Sequence, residues 1–133
     1  HYGYRWMLHR PNPDMFSKQG VSISTAAGAG TKWTNKDMAD SMFFWGMGKI
    51  YRYGTAVHAI NYKSISPEKM AEIEKATDKL AEKIRKNYGH VKPGLKTKTY
   101  FEVMRKLVKS GWNEVDVAYW KEHGWTEKAR PWK

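Results

Sequence analysis

The chain has 133 residues, a length for one domain with one core, and its 41% hydrophobic and 14% aromatic content suffices to bury that core. No uninterrupted apolar run reaches membrane-spanning length and no cationic start leads into an apolar secretory segment, so a soluble cytoplasmic protein with no membrane association is expected. The absence of cysteine excludes disulfides, thiolate metal sites, cysteine-bound iron–sulfur clusters and cysteine nucleophiles, while a net charge of +11 favours anionic partners without selecting among them.

The charge is uneven, with +4 on residues 1–84 and +7 on residues 85–133. At the start, Tyr2-Gly3-Tyr4-Arg5-Trp6-Met7 reads as amphipathic, partly buried material, as if the chain opened in mid-domain. Arg10-Pro11-Asn12-Pro13-Asp14 breaks any helix, because two prolines hold the backbone extended or in turns. A first strand is predicted from Gln19 to Thr25, with Val21 and Ile23 on one face. It empties into a run of very small residues, Ala26-Ala27-Gly28-Ala29-Gly30.

Thr34-Asn35-Lys36-Asp37 resembles a capping box and predicts a helix with Met38, Ala39, Met42, Phe43 and Trp45 on its buried stripe, ended by Gly46 and Gly48. Ile50 to Ile60 is rich in Tyr, Val and Ile and reads as a second strand, with Gly54 marking a weak point or a close approach. Ser66-Pro67 supplies an N-cap and a first-turn proline, and Met70, Ile73, Thr77, Leu80 and Ile84 follow at helical spacing to about Asn87. After the linker Tyr88 to Gly94, Thr99 to Lys109 forms a helix and Asn113 caps another that ends at Glu122.

The succession of strand, loop, helix, strand and helix implies a parallel pair, since a helical crossover joins strands that run the same way. Two strands are too few for a stable sheet of this kind, so open edges and self-association into a homo-oligomer are expected. In open α/β sheets ligands settle outside the carboxyl ends of the strands, where Thr25, Ala26, Ala27, Gly28, Ala29 and Gly30 lie. Such a loop lets a flat heteroaromatic ring or a phosphate approach the backbone; the same composition also fits a plain small-residue turn.

The segments Ile23-Ser24-Thr25-Ala26-Ala27-Gly28-Ala29-Gly30, Asp40-Ser41-Met42-Phe43-Phe44-Trp45-Gly46 and Ile50-Tyr51-Arg52-Tyr53-Gly54 together resemble the carboxyl-terminal half of the flavodoxin-like NAD(P)H:FMN oxidoreductases. Gly111-Trp112-Asn113-Glu114-Val115-Asp116, Tyr119-Trp120 and Arg130-Pro131-Trp132 resemble an extension found in some members. The resemblance implies a doubly wound parallel α/β sheet represented by its last two strands. Residues 1–88 would be the carboxyl-terminal part of the flavodoxin-like domain, and residues 89–133 a basic, aromatic-rich helical extension packed on it. It also implies FMN as cofactor, NAD(P)H as electron donor, and Thr25 to Gly30 as the loop lining the flavin ring. The family's phosphate-cradling loop has no counterpart here, which implies a truncated chain.

No catalytic side chain is demanded by that chemistry; Trp33 is a candidate pocket wall or a helix-flanking aromatic. The histidines at 1, 9, 58, 90 and 123 lack metal-pair spacing, and His58 reads as a buried strand residue. His9-Arg10 reads as an exposed loop pair. Asp37 and Asp40 read as dipole partners of a helix start. Two competing functions remain. One is nucleic-acid binding through Lys92, Lys96, Lys98, Arg105, Lys106 and Lys109 among Tyr100, Phe101 and Trp112. The other is an oligomerisation or docking module built on Trp112, Tyr119, Trp125 and Trp132.

Overall fold

The computed structural model describes residues 6–132, with the side chain of Trp6 outside that description. The segment Tyr2 to Arg5, read above as partly buried, lies outside the described residues; Met7, which follows it, is fully buried. The elements are α1 (Trp6–His9), a 3-10 turn (Pro13–Ser17), β1 (Gln19–Ala26), α2 (Thr31–Phe44), β2 (Lys49–Ala56), a second 3-10 turn (Tyr62–Ser64), α3 (Pro67–Asn87), α4 (Leu95–Lys109) and α5 (Glu114–Glu122). The fold is mixed α/β. β1 and β2 pair in parallel from Gln19↔Lys49 to Ala26↔Ala56, as the helical crossover between them requires.

Small residues bring α2 close to one face of this sheet. Gly20 lies beneath the sulfurs of Met42 and Met47, and Gly54 lies beneath Thr31 and Asn35, where an added Cβ would stand only 2.7 Å from the Asn35 amide. Ser22 Oγ donates to the Asn35 carbonyl at 3.3 Å and Ser24 Oγ to that of Thr31 at 3.3 Å. Alternate side chains point to the other face, so Gln19 and Tyr51 turn toward α3. There Gln19 Nε2 donates to the Ile84 carbonyl at 3.1 Å, and the Tyr51 hydroxyl donates to Gln19 Oε1 at 2.8 Å.

α3 runs over the span its sequence predicts, with Ser66 Oγ accepting from Lys69 N at 3.2 Å and Pro67 in the first turn. Its apolar stripe is half-buried: none of its residues is fully enclosed, and Ile23, on the same side of β1, is 55% exposed. The second strand stops at Ala56, four residues before Ile60, which is fully exposed.

The hydrophobic core gathers at the opposite end from the β1–α2 loop. Phe101 stacks on Trp120 with ring centroids 4.7 Å apart and meets Trp125 and Trp132 edge-on; Met7, Phe16, Phe43, Met104 and Val108 complete the cluster. Gly48, at the start of β2, abuts the Phe16 carbonyl and Val91. The amino-terminal segment is tied to α5 by polar contacts: the Trp120 indole donates to the His9 carbonyl, and the Tyr119 hydroxyl to that of Pro11 at 2.7 Å. Asp116, 2% exposed, receives His9 Nδ1 at 2.6 Å and lies 3.6 Å from Arg10 Nε. His9 and Arg10 therefore give this buried carboxylate a hydrogen-bond partner and a nearby cation, the compensation that a charge at that depth demands.

Candidate functional site

The loop that leaves β1 is shorter than its sequence suggests. Thr25 and Ala26 are the last two residues of the strand, paired with Thr55 and Ala56; only Ala27, Gly28 and Ala29 form the turn, and Gly30 caps α2. The helix starts at Thr31, three residues ahead of the expected Thr34 cap, because Gly30 takes a left-handed conformation (φ +107°) that redirects the chain into the first turn. Gly30 offers no side-chain cap. Its carbonyl instead accepts from Trp33 N at 3.1 Å and from Thr34 N and Oγ1.

Asn35, read from sequence as part of a capping box, points inward. It is 4% exposed, and its Nδ2 donates to the Tyr53 carbonyl at 2.8 Å, pinning the first turn of α2 to β2. The sequence signal that misled was the Thr-Asn pair; the signal that pointed the right way was Gly54, whose missing side chain makes room for this contact.

Around the turn, all four residues Ala27 to Gly30 are exposed, and a Cβ placed on Gly28 or Gly30 meets nothing within 4 Å among the described residues. The amides of Gly28, Ala29 and Gly30 have no hydrogen-bond partner among the described residues. These amides and the open amino end of α2 give the turn a positive electrostatic character. Trp33 stands beside it, 65% exposed, with Lys32 Nζ 5.6 Å from its ring centroid. The pair presents an uncovered indole and a cation next to unobstructed backbone.

A second loop joins the site. Val57 N donates to the Ala26 carbonyl at 2.9 Å and His58 N to that of Ala27 at 3.1 Å, so the exits of both strands are fastened together. His58 is exposed, beyond the end of β2, and holds φ at +48°, a conformation uncommon for a side chain with a Cβ. The expectation of a buried strand histidine is thereby corrected: the strand has ended before it, and its imidazole flanks a cleft with Ser64, Ser66 and Lys69.

The tail residues considered for nucleic-acid binding or docking are mostly occupied within the fold. Phe101 is fully buried, Tyr100 packs edge-on against Phe43 and Phe44, and Lys96 Nζ sits 4.1 Å from the Phe43 ring centroid. Arg105 pairs with Glu102 at 2.7 Å. Trp125 is 3% exposed, and Tyr119 and Trp132 join the aromatic cluster, leaving Trp112 as the exposed aromatic of that set. Asp40 is engaged by Lys36 at 2.6 Å. Among the described residues no cluster of histidine and carboxylate ligands could hold a metal ion, and no helix is long and apolar enough to cross a membrane.

Compared with protein-family models, curated proteins and solved structures, the chain matches none.

Proposed function

We propose that this chain carries the flavin-ring half of an FMN-dependent NAD(P)H oxidoreductase of flavodoxin-like architecture. The observation that carries the reading is the turn Ala27 to Gly30: small, exposed, with unpartnered amides, at the carboxyl end of a parallel strand and against the amino end of α2. It stands where open α/β sheets take their ligands.

The residues present fit one part of FMN. Gly28 and Gly30 leave room for a planar ring to lie against the backbone, the loop amides are free to donate to ring carbonyl or nitrogen acceptors, and Trp33 offers a face for stacking. The phosphate lacks the cradle that the resemblance would require, so that part of the site is assigned to polypeptide outside this chain. When bound, the flavin supplies the hydride and electron chemistry. The chain's own contribution is to orient the ring through backbone donors and to place the positive end of α2 near any negative charge that develops on it. The His58 and Val57 amides hold the neighbouring loop in register.

Flavin fluorescence tests this directly. FMN emission is expected to fall as the chain is added at high concentration, and to fall less with Trp33→Ala. Emission unchanged at every protein concentration would overturn flavin binding by this chain.

A further inference from the structure

Among the described residues β2 pairs with β1 on one side only, and along its other side runs a cleft of about 740 Å³ between the strand and α3. Five consecutive strand residues, Lys49 to Tyr53, line it. Because neighbouring side chains point to opposite faces, a cleft that touches every one of them follows the strand's edge rather than one face. α3 contributes Lys79, Lys83 and Asn87.

The lining contains no carboxylate, and none of Lys49, Arg52, Lys79 or Lys83 lies within ion-pair distance of an acidic group among the described residues. Glu82 stands with Lys79 and Lys83 on the adjoining surface of α3. Four unpaired cations along one groove repel one another and gain from an anionic occupant. The open edge adds a second demand, for main-chain donors and acceptors at strand spacing. A nucleic-acid backbone brings charge but no peptide groups to pair with the strand. An acidic polypeptide brings both.

We infer that the outer edge of β2 is a docking groove for an extended acidic peptide, which adds to the sheet as a third strand with its carboxylates on Lys49, Arg52, Lys79 and Lys83. Edge lysines ordinarily keep neutral strands from pairing. Here the same cations select an acidic strand and reject an uncharged one. The groove lies beside β2, whereas the flavin-ring turn follows β1, so this inference stands independently of the flavin reading.

The test is fluorescence anisotropy of the full chain with a labelled peptide about eight residues long, to span the strand, that carries Glu on both of its faces, because Lys49 and Arg52 lie on opposite faces of β2. Saturable binding is expected, weakened by at least about tenfold in Arg52→Glu/Lys83→Glu. Replacing Glu by Gln in the peptide, or methylating its edge-facing amides, is expected to abolish it. Circular dichroism checks that the double variant is folded; should it not be, Lys79→Glu carries the comparison. No binding of the acidic peptide, equal binding of the Gln peptide, or equal binding of the methylated one overturns the inference. So does tighter, Arg52-dependent binding of a short DNA duplex, or sedimentation showing that the edge is consumed by a second copy of the chain.

Discussion

Tyr53 and Asn35 hold the two buried side-chain atoms, a hydroxyl and an amide oxygen, that have no hydrogen-bond partner among the described residues. An unsatisfied buried hydroxyl costs on the order of 1–3 kcal/mol. Tyr53→Phe removes that group and keeps the ring, so urea titration is expected to show unchanged or higher stability, by up to about 1 kcal/mol; a clear loss would mean that the hydroxyl is bonded in solution. Glu102 illustrates the opposite situation. Burial alone would raise its pKa, but hydrogen bonds from Arg130 and Arg105 outweigh burial and hold it below the ordinary glutamate value. A carboxylate with a depressed folded-state pKa contributes stability above its unfolded value, near pH 4.3, and that contribution is lost as pH falls through the folded value. Glu102→Gln is therefore expected to lower stability at neutral pH and to flatten the stability profile below about pH 4.3, as thermal melts across pH would show. At this scale the sequence was least legible. Nothing in Thr34-Asn35 announces that the asparagine turns inward, and nothing near His58 announces a left-handed backbone, because both follow from where β2 ends and how closely α2 lies over it.

At the scale of elements, the clearest signals were those with a local physical cause. The cap and first-turn proline of α3 place its start, and its apolar spacing carries it to Asn87. The cap of α5 at Asn113 likewise holds, its Oδ1 accepting from Val115 N and Asp116 N. The start of α2 was misplaced because its cap is a glycine, which leaves no side-chain signature. The end of β2 was placed too late because Val57 to Ile60 keep strand-like composition after pairing has stopped. Gly54 was legible as a close approach, and it carries a prediction. Gly54→Ala sets a methyl against Thr31 and Asn35, an overpacking expected to cost about 1–3 kcal/mol and to displace the first turn of α2. A lower urea midpoint with shifted amide resonances over residues 27–32 would be the signature. Gly28→Ala, with open space around it and no positive φ, is the neutral control; equal stability of the two variants would contradict the tight α2–β2 contact.

Over the whole molecule, the small-residue turn and the aromatic core occupy opposite ends. The core draws Met7 and Phe16 from the amino-terminal segment, Phe43 from α2, and Phe101, Met104, Val108, Trp120 and Trp125 from the carboxyl-terminal third. The sheet contributes none of these fully buried apolar side chains; its buried residues are Gly20, Ser22 and Thr55. The order of elements and the parallel pairing were legible because a strand–helix–strand succession leaves few alternatives. The aromatic cluster was not, since Trp112, Tyr119, Trp125 and Trp132 look equally exposed in sequence, and only three-dimensional packing turns three of them inward. If the turn is the ring half of a flavin site without its phosphate cradle, ring and phosphate must contribute unequally to binding. The most direct measurement is a backbone amide NMR titration of the chain with FMN and, separately, with riboflavin. Shifts are expected over residues 25–33 with both ligands, at affinities equal within about threefold, a difference of well under 1 kcal/mol. Shifts confined to other segments, or none with either ligand, would contradict the assignment of this turn to a flavin ring.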